Sequence, residues 1–97
     1  MATKVKVSIS STGISVDQDP VKINNNTSVD WEGDDGTAFS IVFPGGGGNV
    51  KSCGLNSSGN YACVSDDFSN TTGKKKKVKY DVKSGSLKLD PDVEIQP

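Results

Sequence analysis

Val5, Val7 and Ile9 alternate with Lys4, Lys6, Ser8 and Ser10, a period of two that predicts a half-buried first strand. Ser11-Thr12-Gly13 reads as a turn, and Ile14 and Val16 begin a second short strand that Asp17-Gln18-Asp19-Pro20 ends. Val21 and Ile23 form another apolar pair before the turn signal Asn24-Asn25-Asn26. Thr27 to Trp31 predicts the next strand, with Val29 and Trp31 inward. Phe39, Ile41 and Phe43 make the clearest inward face of the chain. Pro44 and the run Gly45 to Gly48 then end that strand with a segment expected to be flexible. From Asn49 to Gly73 the alternation fades into an expected long loop region, broken by a short strand at Tyr61-Ala62-Cys63-Val64. Alternation returns from Lys74 to Val82, with Val78, Tyr80 and Val82 on one face, and Leu87, Leu89, Val93 and Ile95 close the chain.

Strand and turn signals at this spacing predict an all-β fold of about seven to nine short strands, mostly antiparallel, in two packed sheets. A Greek-key β-sandwich is the default order for such strands. No window shows helical spacing, no internal repeat is visible, and no apolar run approaches the length of a membrane span. The 97 residues fit one domain, residues 1–97, with a single modest core. A hydrophobic fraction of 32% with abundant Gly, Ser, Asn and Thr suits a small turn-rich β domain better than a helical bundle.

Two segments resemble cupredoxin-like domains. Val29-Asp30-Trp31, an acidic Gly-containing turn and Phe39-Ser40-Ile41-Val42-Phe43 together resemble the family's central hairpin. Val78-Lys79-Tyr80-Asp81-Val82 followed by Leu89-Asp90-Pro91-Asp92-Val93-Glu94-Ile95 resembles the closing hairpin of small bacterial members, many of which carry a Leu-Asp-Pro motif before the last strand. The resemblance covers about a third of the chain. It implies a cupredoxin-like Greek-key sandwich, although the pattern alone leaves an immunoglobulin-like strand order open. In copper-binding members a His stands eight residues after the Trp; here that position is Phe39, and the chain has no His. The family's ligand Cys belongs near Val82, and its second His and axial Met belong in the next loop, where Lys83-Ser84-Gly85-Ser86 supplies neither. A blue-copper site needs two His and a Cys, usually with a weak axial Met, so residue inventory excludes type 1 copper. Phe39 is then expected to fill the core at the vacated ligand position, and Trp31 to be core as well.

Charge changes the picture in one place. Net charge is −1, yet residues 1–73 hold four Lys and eight acids while residues 74–97 hold seven Lys and four acids. Lys74, Lys75, Lys76, Lys77 and Lys79 form a dense run that could bind an anion, a membrane surface or nucleic acid. Strand alternation would send Lys75, Lys77 and Lys79 to solvent, where lysines blunt edge-to-edge association. No aromatic residues interleave with the run, and the overall balance speaks against nucleic acid.

Cys53 and Cys63 are expected to pair as a disulfide beneath the long loop, worth about 3 kcal/mol in the chain-entropy model. A pair points to an oxidising compartment, so a secreted or periplasmic location is expected, with no signal peptide visible at Met1-Ala2-Thr3-Lys4. As free thiols they would instead suit metal handling or redox chemistry. Asp30, Glu32, Asp34 and Asp35 crowd one turn without the spacing of a calcium loop and are expected to be solvated turn residues. Asn25, Asn26, Asn56 and Asn70 each begin an Asn-x-Ser/Thr sequence, which matters only in a secreting eukaryote. No catalytic set, phosphate loop or cofactor motif is present. The expectation is a non-catalytic binding or structural module, a monomer without cofactor, with a protein or polysaccharide as partner. The alternatives are a thiol-based metal-handling or redox protein using Cys53 and Cys63, an anion-binding module using Lys74 to Lys79, and an engineered chain without a native role.

Overall fold

The computed structural model describes residues 2–97. The chain is all-β, with eleven strands: β1 (Ala2–Ser10), β2 (Gly13–Val16), β3 (Val21–Ile23), β4 (Ser28–Gly33), β5 (Ser40–Val42), β6 (Val50–Leu55), β7 (Tyr61–Ser65), β8 (Lys76–Lys79), β9 (Asp81–Ser84), β10 (Leu87–Leu89) and β11 (Asp92–Ile95). One layer is a five-stranded sheet in the order β2-β1-β4-β7-β6. The other comprises two three-stranded ladders, β10-β9-β5 and β3-β11-β8. Two pairs, β1 with β4 and β3 with β11, are parallel; the rest are antiparallel.

The two short ladders are halves of one hairpin. Leu89 opposes Val82 and Asp92 opposes Lys79, so both halves share a single register, and Tyr80 N–H donates to Pro91 O at 3.0 Å between them. Pro91 has no N–H to return, so the ladder is interrupted there. This interruption divides the two closing strands into β8, β9, β10 and β11 and is one reason the count exceeds the seven to nine expected.

The second difference is the long loop expected between Asn49 and Gly73. It contains a regular hairpin, β6 with β7, in which Cys53 opposes Cys63 and Leu55 opposes Tyr61. The third concerns Val29 to Phe43. β4 and β5 do not form a hairpin, because both edges of β4 are taken by β1 and β7, and β5 pairs with β9 in the other layer. The acidic turn between them therefore crosses the sandwich.

The core lies between the layers. Val5, Val7, Val29 and Trp31 descend from the five-stranded sheet and meet Ile41, Val78, Tyr80, Val82, Val93 and Ile95, as their alternation predicts. Its centre is aromatic: Trp31 lies 5.2 Å from Tyr80 and 6.2 Å from Phe43, ring centre to ring centre, and Phe43 packs edge-on to Phe68 at 5.7 Å. Phe68 enters from a polar loop, held by Phe68 N–H donating to Thr27 O and Asn26 N–H donating to Phe68 O. The second half of the glycine run packs against this cluster, while Gly45 and Gly46 stand in open space. A Cβ at Gly48 would stand 2.7 Å from the rings of both Phe43 and Phe68, and Gly47, at a φ of 86° that disfavours side chains, sits against Val78.

The indole N–H of Trp31 and the hydroxyl of Tyr80 make no well-formed hydrogen bond in the core, although the indole lies near enough to the hydroxyl to oppose part of the effect of burial on it. Burial pushes the Tyr80 phenol up to about 12. A raised pKa means that the stability tied to the neutral phenol is complete below pH 10 and is lost as pH rises from about 10 to about 12. Tyr80→Phe deletes an unsatisfied group while keeping the ring contacts, so it is expected to leave stability unchanged or raise it by up to about 1 kcal/mol at neutral pH. It should also remove that alkaline loss. Urea unfolding of both proteins at pH 7 and pH 11 checks this, and a clear loss of stability in Tyr80→Phe at pH 7 would show that the hydroxyl is bonded.

Candidate functional site

Phe39 stands immediately before β5 and is 4% exposed. Its ring meets Tyr61 edge-on at 5.3 Å, and its Cε2 lies 3.6 Å from where a Cβ on Gly33 would be. Cys53 and Cys63 form a disulfide across the β6–β7 hairpin, and Cys63 Sγ lies 3.9 Å from the carbonyl oxygen of Phe39. A disulfide sulfur carries no proton, so this is a packing contact. Phe39 is thus a buried ring packed between Gly33 of β4 and Tyr61 of β7, with its backbone carbonyl against the disulfide.

The disulfide is unequally exposed: Cys63 is buried at 1%, whereas Cys53 lies on β6, the exposed edge of its sheet. A thiolate attacking Cys53 would expel Cys63 as an anion into an apolar interior, beside a carbonyl oxygen that cannot donate to it. Exchange prefers a leaving thiolate that is well stabilised. This geometry favours a permanent staple over thiol chemistry. No cysteine is free, and no group of three or more His, Cys, Asp or Glu is gathered for a metal among the described residues.

The acidic turn is held by hydrogen bonds. Glu32 of β4 accepts from Lys4 Nζ at 2.8 Å, Asn56 Nδ2 at 2.8 Å and Asn60 Nδ2 at 3.0 Å, tying the sheet to the tip of the β6–β7 hairpin. The amide of Asn60, the Lys4 ammonium and the amide of Asn56 together lower its pKa to about 2. Asp35 accepts from Thr37 N–H at 2.9 Å, which also holds its carboxyl below the usual range.

A depressed carboxyl contributes stability that is complete above its unfolded pKa, and loses it as pH falls from about 4.5 towards about 2. Glu32→Gln is therefore expected to be less stable than the wild type at pH 7, with the difference closing across that window. Urea midpoints measured at pH 7, 4 and 2.5 test it, and a difference that stays constant would remove Glu32 as the clamp.

The lysine run is not gathered into one patch. Lys77 and Lys79 face out from β8, Lys76 is half-buried at its start, and Lys74 and Lys75 precede the strand. Lys79 donates to Asp90 O at 3.0 Å and lies 3.9 Å from the carboxylates of Asp90 and Asp92, while Lys77 opposes Glu94. Two of the five lysines, Lys77 and Lys79, are thus answered by acids on their own hairpin, on an exposed edge of the ladder where lysines oppose edge-to-edge pairing.

Three of the four Asn-x-Ser/Thr asparagines are structural. Asn70 is 4% exposed and bonded on all sides, Asn25 bonds its backbone, and Asn56 Oδ1 accepts from the N–H groups of Ser58 and Asn60 across the hairpin tip. Asn26, at a φ of 62°, is exposed. Over the outer side of β6 and β7, a shallow open trough of about 490 Å³ runs past Asp30, Gly54, Leu55, Asn56 and Ala62. Sequence reasoning missed it, because it exists only where Gly54 and Ala62 come side by side. No family model, no curated protein and no solved structure matches this chain.

Proposed function

We propose that the chain is a copper-free, cupredoxin-like Greek-key sandwich that serves as a non-catalytic binding or structural module in an oxidising, extracytoplasmic setting. The observation that carries this reading is Phe39. At the position where the resemblance implies a metal ligand there is a buried ring packed on Tyr61 and flanked by a disulfide, so the site is spent on stability. The disulfide and the all-β scaffold support the compartment. The exposed trough beside β6 and β7, of mixed polar and apolar lining, offers a surface for a protein or polysaccharide partner, on loops and edges that a rigid sandwich can present.

Copper and zinc titration tests the reading. Added Cu(I), Cu(II) or Zn(II) at equimolar level is expected to leave the thermal midpoint unmoved and to produce no thiolate-to-copper absorption. Stoichiometric binding with a raised midpoint, which tight binding to the native state must produce, would overturn it.

A further inference from the structure

The charge segregation of the sequence becomes a segregation of faces. On the outer side of the five-stranded sheet and its rim, Lys4, Lys6 and Lys51 stand among Asp17, Asp30, Glu32, Asp34, Asp66 and Asp67, a net of −3. Lys22 and the seven lysines from Lys74 to Lys88 lie on or lead into the other layer. With them are five acids, Asp81, Asp90, Asp92, Glu94 and Asp19, whose carboxylate accepts from Asp92 N–H, a net of +3. Local pairing does not cancel this. Lys22 and Lys77 flank the single Glu94 in one row of the sheet, and Lys83 stands directly opposite Lys88 while only Lys88 reaches an acid, Asp81 at 3.7 Å. Like charges in opposed positions are unfavourable in an isolated sheet.

We propose that copies of this chain associate weakly head to tail, the basic outer face of one against the acidic outer face of the next. A polyanion would satisfy only the basic face, and a cationic partner only the acidic one; a second copy satisfies both. The contact is heterologous, so it grows into open stacks rather than closed dimers. A net charge of only −1 leaves little overall repulsion to oppose it. The inference does not depend on the copper-free reading. It requires only the two faces, and it predicts a monomer wherever salt screens them.

Sedimentation equilibrium of the whole chain at millimolar concentration is the test. At about 10 mM ionic strength, where the screening length is about 30 Å, the weight-average mass is expected to rise with concentration above the 10.1 kDa of one chain. At about 1 M salt, with a screening length of about 3 Å, it should return to 10.1 kDa. Lys75→Glu/Lys83→Glu and Asp34→Lys/Asp67→Lys change exposed side chains on opposite faces, and each alone should abolish the rise. An equimolar mixture of the two variants should recover it, since the acidic face kept by one then meets the basic face kept by the other. A mass fixed at one chain in low salt, association that persists in high salt, or a mixture that stays monomeric would each overturn the proposal. Retention on heparin without self-association would also overturn it, in favour of a polyanion at the basic face.

Discussion

Asn70→Ala is expected to cost about 3 kcal/mol of folding stability and to lower the thermal midpoint by about 10–25 °C, far more than a loop asparagine usually would. The side chain of Asn70 uses both donors and both acceptors. Nδ2 donates to Lys74 O at 2.6 Å and to Ile95 O at 3.0 Å, and Oδ1 accepts from the N–H and hydroxyl of Thr72 at 3.0 and 2.7 Å. Its backbone is bracketed by Asn25, which accepts from Asn70 N–H and donates to Asn70 O, both at 2.8 Å. One residue thereby joins the turn after β3, the loop leading to β8 and the end of β11. Truncation strands the Ile95 carbonyl in a part of the core where Ile95 itself is fully buried, and an unmet buried acceptor costs about 1–3 kcal/mol. Asn70→Asp separates charge from volume. It keeps the size but sets a carboxylate against two carbonyl oxygens, so its defect should be at least as large at pH 7 and should shrink in acid, where the protonated group regains a donor. Urea unfolding followed by the fluorescence of Trp31, the single tryptophan, gives the numbers. A loss below about 1 kcal/mol in Asn70→Ala would show that water replaces these bonds.

That prediction was out of reach of the sequence, and the reason is physical. Alternation reports which side of a strand is buried, and it correctly put Val29, Trp31, Ile41, Val78, Tyr80 and Val82 inside. It reports nothing about side chains that stabilise loops. In a chain this rich in Asn, Ser and Thr, Asn70 looks like any turn residue or chance Asn-x-Thr site, and only the return of β11 beside it reveals its partners. Phe68 was hidden for the same reason, a lone ring in a polar loop drawn inward by backbone bonds to Thr27 and Asn26.

β6 was missed differently. Lys51-Ser52-Cys53-Gly54 has no apolar alternation, because an edge strand needs only one neighbour and little burial. The two cysteines were the available signal, since their direct opposition requires two adjacent strands where a loop was expected. The pairing of β4 was also illegible. A turn between two alternating runs suggests a hairpin, but a central strand has two edges, and β1 and β7 claimed both. The candidate site followed the same division. Phe39 as a core ring was readable from its alternation with Ile41 and Phe43, whereas the Glu32 clamp and the trough over Gly54 and Ala62 arise only from register.

Phe39→Ala is expected to lose about 3–4 kcal/mol, in the range of a phenylalanine removed from a core. The lower half of the range applies because Tyr61, its main ring contact, is only half-buried and can shift towards the space left behind. Phe39→His asks the sharper question. It installs an imidazole at the position where the resemblance implies a ligand, yet no second His exists and both cysteines are consumed in the disulfide. One imidazole cannot assemble a site that requires two imidazoles and a thiolate. The variant should therefore be destabilised by about 2 kcal/mol or more through burying a polar ring without a partner, and copper should not restore the loss. Thermal melts of wild type, Phe39→Ala and Phe39→His with and without equimolar copper decide it. If copper rescued Phe39→His selectively, with thiolate-to-copper absorption appearing once an added thiol reductant had opened Cys53–Cys63, the chain would hold a latent metal site and the copper-free reading would fall. If Phe39→Ala were as stable as wild type, the ring would not be filling space, and the argument that this position has been given over to the core would fail with it.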